Sequence, residues 1–309
     1  MRPTFNGVLF FPVTPFTASG AVDIDALSAH LTKGVEAGPG GVFIACGTGE
    51  FHALELEEFR VVVRTAVEVI AGRVPVYAGA GGSVAQAKAF ARAAQQEGAD
   101  GILLLPPYLV EVPQPGLVDY VAAVAGATTL PVIVYNRNNA KFTEASAVAV
   151  AKIDNVVGFK DGTGNFDQVA RIVQAVTTQV DPDFLFFNGL PTAETTQPAF
   201  RAIGVPLYSS ATFAFAPDLA LAFYNSLESG NTELTNALLN AFFIPLVQLR
   251  DTVPGYAVSL VKAGVTMEGV PAGSVRPPLV MPSAEDVAAL ASIVAAGRAV
   301  LADALSRAV

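Results

Sequence analysis

The chain has 309 residues, 52% of them hydrophobic and only 15% charged, so it can fill one large core and is not a disordered polypeptide. Its net charge of −9 argues against a nucleic-acid partner, because phosphate contacts need clustered Lys and Arg; a few arginines can still bind a carboxylate whatever the overall charge. The single cysteine, Cys46, excludes an intrachain disulfide and fits a cytoplasmic location, and with only His30 and His52 beside it no zinc-type cluster can be assembled, so no metal is expected.

The N-terminus lacks a signal-peptide core, since its apolar run over 8–11 meets Pro12 and Pro15 at once. No stretch reaches the ~18 uninterrupted apolar residues of a membrane span, so no membrane partner is expected. Short apolar runs follow at 7–11, 41–45, 74–78, 101–105, 131–135, 156–160, 184–187 and 205–209. Each reads as a strand buried on both faces, as in a parallel sheet. Helical patterns alternate with them at 23–37, 55–71, 83–97, 115–127, 143–151, 166–178, 192–202 and 217–229. The first carries Ile24, Leu27, Leu31 and Val35 on one face; the third starts at the cap Ser83 and stops at Gly98.

Eight strand–helix units close a (β/α)8 TIM barrel, the fold expected over residues 1–229. Residues 230–309 read as a C-terminal helical extension with helices at 232–249, 255–267 and 284–306, an appendage to the barrel. A doubly wound open sheet is the structural rival. Its dinucleotide loop would be Gly79-Ala80-Gly81-Gly82-Ser83, but Val84 stands where the last glycine of that pattern belongs, and no acidic residue ends the next strand.

Catalytic residues of a parallel barrel gather at the C-terminal ends of its strands. Among six lysines, Lys33, Lys88, Lys141 and Lys152 lie in helical or loop contexts and Lys262 in the C-terminal helices; only Lys160 ends an apolar strand. A buried ammonium is costly to desolvate, and a neutral amine can attack a ketone to form an imine. The competing reading is a structural salt bridge to Asp161 or another carboxylate, and position alone leaves the two even. Tyr135 ends the neighbouring strand, where a phenol could shuttle protons, or simply pack as an aromatic. Gly47-Thr48-Gly49-Glu50 offers amides and a hydroxyl to a carboxylate, though glycine-rich turns are common. Asn136 and Arg137 could pair with a second carboxylate or stitch their loop. Tyr108, after Pro106-Pro107, is an active-site or interface candidate or a plain loop aromatic.

Together these segments resemble the dihydrodipicolinate synthase/N-acetylneuraminate lyase family of class I aldolases and dehydratases nearly end to end. The segments are 11–16 (FPVTPF), 45–52 (ACGTGEFH), 105–109 (LPPYL), 134–140 (VYNRNNA) and 158–162 (GFKDG). Within the family the likeness is closest to the 5-dehydro-4-deoxyglucarate dehydratase branch. In the synthase branch the strand-two loop carries two adjacent hydroxyl residues and relays protons through the first; here Gly47 fills that place and only Thr48 remains. Arg137 follows Tyr135-Asn136 at once, and Ala140 stands near the arginine expected farther along.

The resemblance implies a Schiff-base lyase acting on a small keto-diacid. Lys160 would form the imine and Tyr135 act as acid and base. Thr48 with the Gly47 and Gly49 amides would hold the keto-acid carboxylate, and Ser209 and Arg137 would meet the distal end. It implies a decarboxylating dehydration with no metal or organic cofactor, because the imine on Lys160 supplies the electron sink. It also implies a homotetramer or dimer in which Tyr108 reaches a neighbouring subunit. A pyruvate-dependent aldolase or a dihydrodipicolinate synthase is the alternative within the family, and a non-catalytic ligand-binding barrel the alternative outside it.

Overall fold

The structure, a computed structural model, describes residues 4–107 and 109–307. Eight parallel strands pair in sequence order and close on themselves: β1 (Leu9–Phe10), β2 (Gly41–Ile44), β3 (Val76–Ala80), β4 (Gly101–Leu104), β5 (Val132–Asn136), β6 (Val156–Asp161), β7 (Leu185–Asn188) and β8 (Leu207–Ser210). Closure is set by Leu9, which registers with Gly41 on one side and Ser209 on the other. The expected TIM barrel with a C-terminal helical extension is therefore the observed fold. Around it lie α1 (Ile24–Glu36), α2 (Leu56–Ile70), α3 (Val84–Gln96), α4 (Gln114–Ala125), α5 (Glu144–Ala151), α6 (Phe166–Gln179), α7 (Gln197–Ala202) and α8 (Pro217–Glu228).

The two-residue period of the strands sorts their side chains into two layers. Leu9, Phe11, Phe43, Tyr77, Leu103, Ile133, Tyr135 and Phe187 fill the barrel interior. Phe10, Val42, Ile44, Ile102, Val134 and Phe186 face outward into the helix layer. Phe11 stacks on Phe43 with ring centroids 4.7 Å apart and forms the floor beneath the strand ends. Strand β6 alone breaks phase. Val132 registers with Val156 but Ile133 with Gly158, so one extra residue is inserted. Without that bulge Lys160 would share the outward phase of Val156; with it, Lys160 points into the barrel.

The differences from the expected elements have local causes. The first strand shrinks to two paired residues, and the third sits two residues later than its apolar run. The helix expected over 192–202 becomes a 3-10 turn, Ala193–Thr195, followed by α7, because Thr192 adopts φ 49 and re-aims the chain. The helix expected over 232–249 is divided by a π turn, Leu239–Phe243, into α9 (Thr232–Leu238) and α10 (Ile244–Arg250). Pro245 has no N–H to give to the carbonyl four residues back, and the wider turn accommodates the gap.

Residues 230–309 form α9, α10, α11 (Tyr256–Met267) and α12 (Ala284–Arg307). No break in the core falls at residue 229: Tyr208, Leu219 and Phe223 share one apolar cluster with Phe242, Phe243, Leu260 and Leu290. By length and composition α12 could cross a membrane. Here its Leu290, Val294 and Gly297 are buried, and Arg298 in its middle donates to Asp218 at 2.8 Å and Glu268 at 2.9 Å.

Behind β8, Glu194 is fully buried, accepts from Ser210 Oγ at 2.5 Å through Oε1, and has no hydrogen-bond partner for Oε2 among the described residues. Burial pushes its carboxyl up to about 7, against the opposing pull of Ser210. The folded state then binds more protons than the unfolded one between the ordinary carboxyl value and about 7, so stability falls as pH rises through that window. Glu194→Gln mimics the protonated form. It is expected to unfold later than the parent above pH 7, by on the order of 3 kcal/mol at most, and to lose that advantage toward pH 4. Denaturation midpoints across pH check this; a gain constant with pH would exclude ionisation of Glu194 as its source.

Candidate active site

A cavity of about 240 Å³ opens at the C-terminal ends of the strands. Lys160 is 5% exposed at its base. Its Nζ lies 3.9 Å from the centroid of the Tyr135 ring, the residue registered beside it on β5, and 5.1 Å from that of Phe11.

Two lysines are buried, and their partners distinguish them. Lys262 of α11 donates to Glu50 Oε1 at 2.7 Å, with neither side chain exposed. Among the described residues Lys160 has no carboxylate at ion-pair distance. Asp161, the partner considered from sequence, faces the other side of β6 and is occupied there: it accepts from Asn136 Nδ2 at 2.7 Å, Thr163 Oγ1 at 2.8 Å and Gly164 N at 2.9 Å. The salt-bridge reading thus belongs to Lys262. Burial pushes the Lys160 amine down; the Tyr135 phenol opposes this and the Arg137 charge adds to it. Burial would raise the Tyr135 phenol, but Lys160 and Arg137 outweigh it and hold the phenol below its ordinary value. The site therefore pairs an amine made less basic with a phenol made more acidic, which favours the neutral nucleophile and the phenolate base over the same groups free in water.

The Tyr135 hydroxyl donates to the Gly189 carbonyl at 2.6 Å and accepts from Arg137 Nη1 at 3.0 Å. Glycines make that placement possible. A Cβ on Gly189 would stand 2.8 Å from both Lys160 Cγ and Tyr135 Cε2, and one on Gly162 would stand 2.9 Å from the Tyr135 oxygen. Cys46 also lines the cavity; burial pushes its thiol up to about 12, so it stays protonated and inert. His30 is buried behind β1, pushed down to about 3 chiefly by burial, and accepts from Val13 N at 3.3 Å, a structural role.

Of the residues singled out from sequence, Lys160, Tyr135, Gly47, Thr48, Arg137 and Ser209 all line this cavity. Gly49 lies behind the loop, its carbonyl accepting from Thr14 Oγ1 at 2.7 Å. Asn136 requires a correction: it has the phase of Asp161, and its side chain is held by Asp161 and by Phe142 N at 3.0 Å, away from the cavity. Tyr108 lies outside the described residues. The C-terminal helices also contribute to the site: Leu246, Arg250, Tyr256, Val258 and Val261 from α10 and α11 wall the cavity. Sequence reasoning missed Gly162, Gly189 and Arg250. The two glycines had a signal, standing just past the strand ends beside Asp161 and Asn188; Arg250 at the end of a helix had none.

The sequence profile of the Dihydrodipicolinate synthetase family matches residues 4–297. A probable 5-dehydro-4-deoxyglucarate dehydratase of Streptomyces griseus is 56% identical over 298 residues, 96% of this chain and 93% of its own length. One from Pseudarthrobacter chlorophenolicus is 43% identical, covering 94% of each chain. Among solved structures, dihydrodipicolinate synthase of Oceanobacillus iheyensis superposes with a TM-score of 0.88 at 25% identity over 96% of this chain and 97% of its own. An E. coli prophage protein of the dihydrodipicolinic acid synthase family, solved with pyruvate, gives 0.85 at 26% over 95% and 99%. A buried lysine with no carboxylate partner among the described residues, beside a strand-end tyrosine in a closed eight-stranded barrel matched along nearly its whole length in sequence and shape, places this chain in the dihydrodipicolinate synthetase family.

Proposed function

We propose that the chain is a decarboxylating 5-dehydro-4-deoxyglucarate dehydratase that works through an imine on Lys160. The observation that carries this is the Lys160 amine itself, buried, with no carboxylate partner among the described residues and 3.9 Å from the Tyr135 ring in a cavity of about 240 Å³. The relatives named for this dehydratase supply the substrate class. The amine attacks the ketone and water leaves, giving an iminium. The iminium accepts the C–H electron pair of the adjacent deoxy carbon as a base takes the proton, and the β-hydroxyl, protonated in turn, departs as water with its bonding pair. The conjugated iminium then accepts the electron pair of the carbon–carboxylate bond as CO2 leaves. Protonation and hydrolysis free the lysine and 2,5-dioxopentanoate, so that substrate yields product, one CO2 and one water.

In this reading the Gly47-Thr48 loop holds the keto-acid carboxylate, and Ser209 and Arg137 face the rest of the substrate. The imine supplies the electron sink, so the reaction calls for no metal or organic cofactor. A homo-oligomer and a cytoplasmic location go with the same reading. The purified protein given 5-dehydro-4-deoxyglucarate is expected to release CO2 and 2,5-dioxopentanoate in equal amounts. Pyruvate release without CO2 would move it to the aldolases of the family, and no turnover together with no borohydride-trapped adduct would make it a binding barrel.

A further inference from the structure

We propose that Arg137 is a positioning residue for the proton carrier: its guanidinium, held on the Tyr135 oxygen, stabilises the phenolate both while Lys160 is the neutral nucleophile and after it has become the iminium. This rests on the imine reading of the site.

The geometry is specific. Tyr135 Oη accepts from Arg137 Nη1 at 3.0 Å and donates to the Gly189 carbonyl at 2.6 Å. A main-chain carbonyl can accept a hydrogen bond but cannot relay the proton, so no onward chain of hydroxyls leaves Tyr135 in that direction. The phenol must therefore take up and give back a proton at its own oxygen. As phenolate it takes the proton from the deoxy carbon while the C–H electron pair moves into the iminium. As phenol it gives that proton to the β-hydroxyl, which leaves as water with its bonding pair, and phenolate is regenerated. Each cycle needs a phenolate stabilised in a buried site.

Two cations face the phenol: Lys160 from β6 and Arg137 from the end of its own strand. Cys46 of the β2 end faces Lys160 and stays a thiol. Lys160 cannot serve throughout, because it must be neutral to attack the ketone. A guanidinium is not deprotonated in proteins, so it can serve at every step. Among the described residues it has no carboxylate at ion-pair distance, so its charge is not spent elsewhere. Arg250, which also lines the cavity, contrasts with it: Asp251 holds it through two bonds, at 2.8 and 3.0 Å. Gly162 adds a steric condition, since a Cβ there would stand 3.2 Å from Arg137 Cδ and 2.8 Å from Tyr135 Cε2.

The test is a titration of tyrosine ionisation by ultraviolet absorbance in the substrate-free protein, with Tyr135→Phe as the subtraction reference. Burial pushes Tyr77, Tyr120 and Tyr208 up, which keeps them clear of the Tyr135 signal. Arg137→Gln is expected to raise the pH at which Tyr135 ionises by about one unit or more, and to lower kcat more than it raises KM. Arg137→Lys is expected to restore most of both. An unmoved Tyr135 titration in Arg137→Gln, or a lysine variant no better than the glutamine one, would overturn the proposal. Because the titration needs no substrate, its outcome is separate from whether the product assay and borohydride trapping uphold the imine reading.

Discussion

Replacing Lys160 by alanine or methionine is expected to abolish turnover, by roughly 10^4-fold or more, and to remove the adduct trapped by borohydride with a keto-acid substrate. Among the described residues no other lysine lines the cavity. Cys46, which does, is held as a thiol, and Lys262, the other buried lysine, is locked in its pair with Glu50. The stability result should run the other way. Lys160 holds a buried amine with no carboxylate partner among the described residues, so folding works against its charged form. Its amine is lowered by burial, so the unfolded chain binds more protons between the folded and unfolded values and stability rises with pH through that window. Lys160→Met keeps the volume and removes the penalty. It should therefore unfold later than the parent at neutral and lower pH, with the gain shrinking as the solution is made alkaline. A variant that is inactive but more stable is what an active-site lysine predicts. An adduct on another lysine, or full activity in Lys160→Ala, would end the assignment of the nucleophile; a methionine variant less stable at every pH would show the amine to be structural.

The barrel was legible because its signals are local and repeated. Eight both-face-buried runs alternate with helices marked by caps such as Asp23, Ser83 and Thr143, each of which accepts a bond from the third residue of its helix. Lys160 and Tyr135 were legible because a charged or hydroxylated residue at the end of an apolar run is out of place. Asn136 stitches its loop and points away from the cavity for a reason of phase: successive residues of a strand face opposite ways, so the neighbour of an inward Tyr135 points outward. The bulge that aims Lys160 inward leaves no mark in Val156-Val157-Gly158 beyond the glycine, whose Cβ would stand 2.9 Å from the Phe187 ring. The wall supplied by α10 and α11 was hidden because it depends on long-range packing. Lys262 shows this most clearly. It lies in an apolar helix, and nothing within that helix reveals that its partner is 212 residues away.

That pair carries the largest expected effect on stability. Glu50 Oε1 receives Lys262 Nζ at 2.7 Å and Oε2 receives Arg276 N at 2.8 Å, while Lys262 also donates to the Ser274 carbonyl at 2.9 Å and lies 4.0 Å from the centroid of the Phe16 ring. Glu50 adopts φ 57, a conformation costly for a residue with a side chain, and its two side-chain bonds hold it there. Removing one partner leaves the other charge buried and uncompensated. Lys262→Met is expected to cost about 3–5 kcal/mol, which corresponds to a loss of roughly 10 °C in Tm for a chain of this size. Glu50→Leu should cost a similar amount for the same reason. The double variant should be less destabilised than the sum of the two, because it buries no unpaired charge, and the coupling in a double-mutant cycle should exceed about 1 kcal/mol. The consequence reaches the site, since Glu50 closes the loop that begins at Gly47 and Thr48 on the cavity wall. A loosened loop should raise KM for the keto-acid while leaving borohydride trapping on Lys160 intact. If either single variant lost under about 1 kcal/mol, the pair would be only weakly coupled, and the tie between α11 and the carboxylate loop would have to be sought in apolar packing.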